Sequence, residues 1–238
     1  NVTKKALTHN YVFDIAEDED GKYWIATYGG LTQLIEISDG VFKSTFYESD
    51  INDPESIINS DSYTLCLDKN DDLWIGTFMG LCVFRKENGE RKFLNFLDDE
   101  NAPTSLKADE IFVLYRDSRD FIWAGTIDGL TQIAINQSRK VTFKQFTAQN
   151  SPISGAVYGI VEDSRGKLWL SGNNGLTVFD PESSPGRQAD DTNSFKNYNI
   201  SDGLQGNEFV KRAAFINQEN ELYFGGKNGF NYFNPEDL

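Results

Sequence analysis

"LWLSGNNGL", residues 168–176, sets a Trp between two aliphatic residues and then breaks into Gly and Asn. The same stretch occurs four more times: "YWIATYGGL" (23–31), "LWIGTFMGL" (73–81), "IWAGTIDGL" (122–130) and "LYFGGKNGF" (222–230). Aligned on Trp24, Trp74, Trp123, Trp169 and Tyr223, the copies lie 50, 49, 46 and 54 residues apart. Other positions then fall into register. Six residues after the aromatic stands Gly30, Gly80, Gly129, Gly175 or Gly229, followed by Leu31, Leu81, Leu130, Leu176 or Phe230. Six residues before it stands Asp18, Asp68, Asp117, Asp163 or Asn217. Repetition at this period marks a propeller, a solenoid or an array.

The filling of each period decides among these. A β-rich run such as "YVFDIAE" (11–17) or "AVYGIVE" (156–162) leads into a polar turn and then the Trp strand. A Gly turn and a third strand follow, ending at Leu34, Phe84, Ile133, Phe179 or Phe233. Four units add "FKSTF" (42–46), "FLNF" (93–96), "FKQF" (143–146) or "FKNY" (195–198). Short runs between Gly, Asn and Asp turns are hairpin signals, and no window keeps a helical 3.6-residue period. Four antiparallel strands in 40–50 residues describe a propeller blade. The fold class is therefore an all-β propeller with about five blades, with cores near 10–47, 60–97, 109–147, 155–199 and 208–238. Both faces of a blade pack on neighbours, so each needs bulky groups on both sides. A buried Trp covers roughly 150–250 Å², worth at most about 4–6 kcal/mol. The repeated Gly suits a turn with positive φ or a close approach of backbone, and the Asp suits a turn held by side chain-to-backbone bonds.

The bulk numbers narrow the function. The chain has 238 residues and a formal charge of −15, which disfavours nucleic acid and anionic membrane surfaces, since both recruit clustered Lys and Arg. No apolar run approaches the roughly 18 residues of a spanning helix, and no basic-then-apolar leader opens the chain. The start at Asn1 reads as a piece of a longer protein. Cys66 and Cys82, the two cysteines, lack metal-ligand spacing, and their places on a first and a third strand disfavour a disulfide. They read as small buried hydrophobes. His9, the single histidine, precedes the first strand and reads as solvated linker. A His-based nucleophile or metal site is therefore not expected, and neither is a cofactor.

With Trp, Gly and Leu in register, "VYGIVEDSRGKLWLSGNNGL" (157–176) and "VFDIAEDEDGKYWIATYGGL" (12–31) resemble the two-component regulator propeller repeat. The third unit departs, with "RDSRDF" lacking the turn Gly, and the second has Asp in that place. The last unit, "SDGLQGNEFVKRAAFINQENELYFGGKNGFNYFNPEDL" (201–238), is similar to the closing blade of these propellers. The resemblance implies the C-terminal five blades of a larger, seven-bladed ring; a self-contained five-bladed ring is the rival. It also implies the periplasmic sensor region of a Bacteroides-type hybrid two-component protein. An immunoglobulin-like domain, a membrane helix and a histidine kinase would lie outside this chain, the signal would be a glycan-derived oligosaccharide, and a homodimer is a further expected partner.

Ligands of propellers usually meet the loop-rich end, where this sequence varies instead of repeating. After the Trp strand stand Tyr28, Phe78 with Met79, Ile127 with Asp128, Asn173 with Asn174, and Lys227 with Asn228. At the start of the first strand stand Phe13, Tyr63, Phe112 and Tyr158, and then Arg212, which breaks the aromatic column. Rings stack on sugar faces and amides fork to hydroxyls. The candidate binding residues are accordingly Tyr28, Phe78, Asp128, Asn173, Asn174, Arg212, Lys227 and Asn228. The longer loops 48–61, 98–109 and 180–193, which carry most of the prolines, stand as further candidates for a functional role, and ordinary loop tolerance explains them just as well. Two rivals stand beside the sensor: a protein-contact propeller, which predicts large apolar patches, and a propeller lyase or hydrolase, which predicts convergent carboxylates of raised pKa. Streptogramin lyases, a propeller enzyme class, need a His base, and no blade core here holds one.

Overall fold

In the computed structural model the described residues are 6–87, 90–97, 106, 110–182 and 194–238. They form five antiparallel sheets of propeller-blade type. The first is β1 (Val12–Glu17), β2 (Tyr23–Thr27), β3 (Gly30–Ser38) and β4 (Val41–Tyr47). The second is β5 (Ser62–Leu67), β6 (Leu73–Thr77), β7 (Gly80–Glu87) and β8 (Glu90–Phe96). The third is β9 (Ile111–Arg116), β10 (Ile122–Thr126), β11 (Gly129–Ile135) and β12 (Val141–Thr147). The fourth is β13 (Val157–Glu162), β14 (Leu168–Gly172), β15 (Leu176–Phe179) and β16 (Phe195–Tyr198). The last has three strands, β17 (Phe209–Ile216), β18 (Leu222–Gly226) and β19 (Gly229–Phe233), and ends in a 3-10 turn, Pro235–Asp237. The chain divides into two compact units, 1–114 and 115–238, and each is described by itself.

The repeated Asp does two jobs. In the first blade one carboxylate oxygen of Asp18 accepts the backbone N–H of Asp20 (3.1 Å) and Lys22 (2.9 Å), while the other accepts Trp24 Nε1–H at 2.9 Å. Asp68, Asp117 and Asp163 repeat the arrangement, reaching Trp74, Trp123 and Trp169 at 3.1, 2.9 and 2.9 Å. A buried indole N–H needs such an acceptor. The last blade changes both partners together. Asn217 still accepts the turn N–H groups of Glu219 and Glu221, but the aromatic is Tyr223, whose hydroxyl donates to Glu221 at 2.9 Å.

Trp24, Trp123 and Trp169 lie between sheets. Within the first unit Trp24 meets Phe84 of the next blade edge-on at 5.5 Å; within the second, Trp123 meets Phe179 at 5.6 Å and Trp169 meets Phe233 at 4.9 Å. The repeated Gly has both properties expected of it. Gly30, Gly80, Gly129 and Gly175 hold φ between 96° and 140°, and a Cβ there would lie 2.2–2.6 Å from a fourth-strand carbonyl. Gly229 keeps φ at 126° but meets nothing within 4 Å, because its sheet has no fourth strand.

Neither cysteine is in a disulfide: Cys82 is on β7 and Cys66 on β5, with β6 between them. Cys82 is the small buried residue anticipated, and burial pushes its thiol up to about 12. Cys66 is only half-buried.

Candidate functional site

The loop end of each blade is shaped by a hydrogen-bonded turn and a bulge. In the first three blades a Thr closes the turn after the Trp strand: Thr27, Thr77 and Thr126 donate to the carbonyls of Gly30, Gly80 and Gly129. Each also accepts the N–H of the residue two positions on. The first strands bulge at the aromatic column, where register shifts skip Phe13, Tyr63 and Tyr158. An extra residue in one strand re-aims its side chain.

In the first unit this produces an aromatic pad. Thr8 is buried and anchors the segment before β1, its hydroxyl lying 2.7 Å from that of Thr27 and its N–H donating to Thr32 Oγ1 at 2.9 Å. His9 then stacks on Tyr11 with centroids 5.6 Å apart and planes at 13°, and it tilts against Tyr28 at 5.8 Å. Phe13 joins Tyr28 (6.3 Å) to Tyr63 (5.1 Å). The N–H of Tyr11 donates to His9 Nδ1 (3.0 Å), and the N–H of Tyr28 to the Tyr11 carbonyl (3.1 Å). The rings are therefore held while Tyr11 and Tyr28 remain 70% and 52% exposed. His9 is thus half-buried in this pad and not a solvated linker, because the Thr8 anchor fixes the chain on either side of it. Neither His9 nor Tyr11 was legible as a site residue, since His9 precedes the repeated runs and Tyr11 opens one at a position filled by Asp61, Glu110, Ala156 and Val210 in the other copies.

The other candidates divide by what their side chains already hold. Phe78 sits at the turn equivalent to Tyr28 in the second blade, 48% exposed, its N–H donating to the Asp61 carbonyl. Asp128 is exposed on the third blade, and its N–H donates to Thr126. In the fourth and fifth blades Gly172 and Gly226 stand where the Thr was, and amides take over the stitching. Asn173 Oδ1 accepts the Ala156 N–H (3.0 Å), and Asn174 Nδ2 donates to the Ser154 carbonyl (2.8 Å). The N–H of Asn228 donates to Gln205 Oε1 (2.9 Å), its side-chain amide donates to the Gln205 carbonyl (3.2 Å), and Lys227 pairs with Glu208. Gln205 belongs to the "GLQ" stretch and packs where a Cβ on Gly226 would stand, so that motif is architecture. Arg212 is half-buried within β17 at φ 60°, inside the register shift between Phe209 and Ala214. Among the described residues no hydrogen bond joins Asp128, the Asn173–Asn174 pair and the Lys227–Asn228 pair to one another. Only Tyr28 is drawn into a cluster of exposed rings. Among the described residues no group of three or more His, Cys, Asp or Glu could hold a metal ion.

Comparison with known proteins places these features. The model of the two component regulator propeller family matches residues 6–29, 56–79 and 151–174. Each match ends in the turn after a Trp strand. Histidine kinase P4 of Formosa agariphila is 25% identical over 99% of this chain, which spans 16% of that protein's length. Among solved structures, one described as the extracellular domain of the hybrid two component system BT3049 of B. thetaiotaomicron matches 95% of this chain and 28% of its own. Its TM-score is 0.76 and its identity 22%. PorZ, a surface component of the type-IX secretion system of Porphyromonas gingivalis, aligns over 98% of this chain and 34% of its own, with TM-score 0.69 and 15% identity. Virginiamycin B lyase from Staphylococcus aureus aligns over 95% and 71%, with TM-score 0.59 and 15% identity. At these identities the structural likenesses are likenesses of fold. The family model is the more specific finding: three of the five repeats, those of the first, second and fourth blades, match the two component regulator propeller model.

Proposed function

We propose that this chain is a ligand-binding part of the extracytoplasmic sensor region of a hybrid two-component protein, and that its signal is an oligosaccharide taken up at the loop end. The observation that carries the reading is the aromatic pad of His9, Tyr11 and Tyr28, set on repeats of a family named for two-component regulators. Pyranose rings stack on exposed aromatic faces that are already fixed, so little side-chain entropy is lost on binding. Binding would shift the placement of sensor domains and so bias a kinase outside this chain. The kinase-bearing relative and the extracellular hybrid-system domain support that assignment. No helix among the described residues is long and apolar enough to cross a membrane.

Calorimetric titration of plant, host and microbial oligosaccharides tests the reading. A ligand bound in the micromolar to millimolar range, weakened about tenfold by Tyr11→Ala or Tyr28→Ala (about 1.4 kcal/mol), is the expected result. If no oligosaccharide that binds is weakened by either change, the loop end is removed as the sensing surface.

A second reading draws on the last blade. Phe215, Phe230 and Tyr232 are exposed and form a continuous row with Tyr223, at centroid spacings of 5.6–6.4 Å. Such a patch favours a protein-contact role. Self-association in sedimentation experiments, lost on Tyr232→Ser, would select it.

A further inference from the structure

We infer that a second ligand site, for a neutral oligosaccharide, lies away from the loop end, in the cleft between the outer strands of the first two blades. The cleft encloses about 680 Å³, within the range of small-ligand pockets. Its floor is aromatic: Tyr47 of β4 lies 5.0 Å from Phe84 and 5.7 Å from Phe93, which are 4.5 Å from each other. One wall is Arg91 of β8, its guanidinium 5.9 Å from the centroids of both Trp24 and Phe84. Two of its five N–H groups are taken by Asp71, by the carbonyl at 3.2 Å and the carboxylate at 2.9 Å. Its other N–H groups have no hydrogen-bond acceptor among the described residues. The opposite wall carries Gln33 of β3, half-buried, whose side-chain amide has no hydrogen-bond partner among the described residues. The Tyr47 hydroxyl likewise has none, and burial raises its pKa, so it stays a neutral donor and acceptor.

The rim is built, not accidental. The segment 48–57 is strapped over the cleft by Lys92 to Glu55 (3.0 Å) and by Asn95 Nδ2 to the Ser56 carbonyl (3.0 Å). Its end is plugged by Ile57, which is fully buried. The loop is thus an ordered wall, where the sequence left a functional role and simple loop tolerance equally open.

The charges indicate the ligand class. Each cation of the lining is ion-paired: Lys22 with Asp20, Arg91 with Asp71 and Lys92 with Glu55. Glu48 and Asp53 add negative charge to the same lining. An anionic ligand would have to displace a carboxylate, whereas an amide, a phenol and guanidinium N–H groups around aromatic rings suit uncharged hydroxyls. The repeat does not dictate this. The corresponding cavity on the fourth blade, about 300 Å³, has Val178 in the place of Gln33 and is covered by Pro235 and Leu238.

The test titrates cellohexaose, maltohexaose, laminarihexaose and mannohexaose into the chain by calorimetry, with hydrogen exchange locating any protection. The expected result is that one hexasaccharide binds and protects residues 44–57 and 90–95. Gln33→Ala and Tyr47→Phe, which remove an amide and a hydroxyl without hydrogen-bond partners among the described residues, weaken it at least fivefold with an unchanged urea midpoint. Tyr11→Ala leaves this binding intact. Protection confined to residues 9–13 and 26–30, or binding lost with Tyr11→Ala alone, overturns the cleft and leaves the loop-end reading standing. If no hexasaccharide binds the folded chain, the cleft is overturned as well.

Discussion

Replacing Asp163 by Asn isolates the bond that ties each polar turn to its Trp. The Asn carbonyl can still accept the N–H groups of Arg165 and Lys167, which Asp163 Oδ1 holds at 2.9 and 3.0 Å. The other side-chain atom, however, becomes an NH₂ group facing Trp169 Nε1–H across 2.9 Å. Donor then meets donor in a place where Trp169 is buried. A hydrogen bond to a charged group is worth about 1.5–3 kcal/mol, and an orphaned buried donor costs about 1–3 kcal/mol. The two overlap, so the expected loss is about 2–4 kcal/mol. Trp169→Phe removes the donor at the cost of some packing, and in that background Asp163→Asn should cost about 1 kcal/mol or less. Urea unfolding followed by circular dichroism gives all four corners of the double-mutant cycle. A coupling energy below about 0.5 kcal/mol would refute the reasoning, for it would mean that the Asp serves the turn alone. The last blade is nature's version of the same exchange, with Asn217 and Tyr223 changed together.

Three further outcomes follow from the same geometry. Gly129→Ala should destabilise by more than Gly229→Ala: both force positive φ, at about 1–3 kcal/mol, but only at Gly129 does the new Cβ fall 2.3 Å from a carbonyl, that of Phe146. Thermal melts of the two variants compare them directly. The Cys82 thiol titrates near 12 in the fold against an ordinary value of 9.0. The folded state therefore holds the proton that the unfolded chain releases, and stability falls as pH rises above 9, by about 1.4 kcal/mol per unit. Urea midpoints at pH 8 and pH 10 should converge by roughly 1 kcal/mol in Cys82→Ala relative to the parent. Asn173→Ala should lower stability by about 1 kcal/mol through the lost bond to the Ala156 N–H. An unchanged midpoint in a denaturation series would show that this amide is free for a ligand.

The fold was legible because the chain supplies its own alignment. Five copies of one element fix which Gly, Trp and Leu belong to architecture, and the strand periodicity between them does the rest. The Asp–Trp spacing of six was equally visible, but not its meaning. Whether the carboxylate closes its own turn or also reaches the indole depends on side-chain direction across a hairpin, and only coordinates supply that. The bulges at Phe13, Tyr63 and Tyr158 were hidden for a similar reason, since a bulge is a property of two strands read together.

The functional surface was harder, and the cause lies in how a repeat fold uses its departures. Positions that the repeat does not dictate are open to a ligand, but some departures compensate for others. Losing the turn Thr at Gly172 and Gly226 leaves backbone groups unstitched, and Asn173, Asn174 and Asn228 meet that need. Their amides look like ligand groups in the sequence and are taken up by the loops in the fold. A departure points to a ligand only when the fold leaves its side chain unclaimed. By that criterion Tyr28, Phe78 and Asp128 stay from the sequence reading, and Tyr11 and Gln33 join them from the structure. Tyr28, Phe78, Asp128 and Tyr11 sit at outward-facing turns and strand starts, while Gln33 lines a cleft roofed by an ordered loop. Both places lie where unlike segments meet over the repeated scaffold, so each owes its shape to residues that the repeat leaves open.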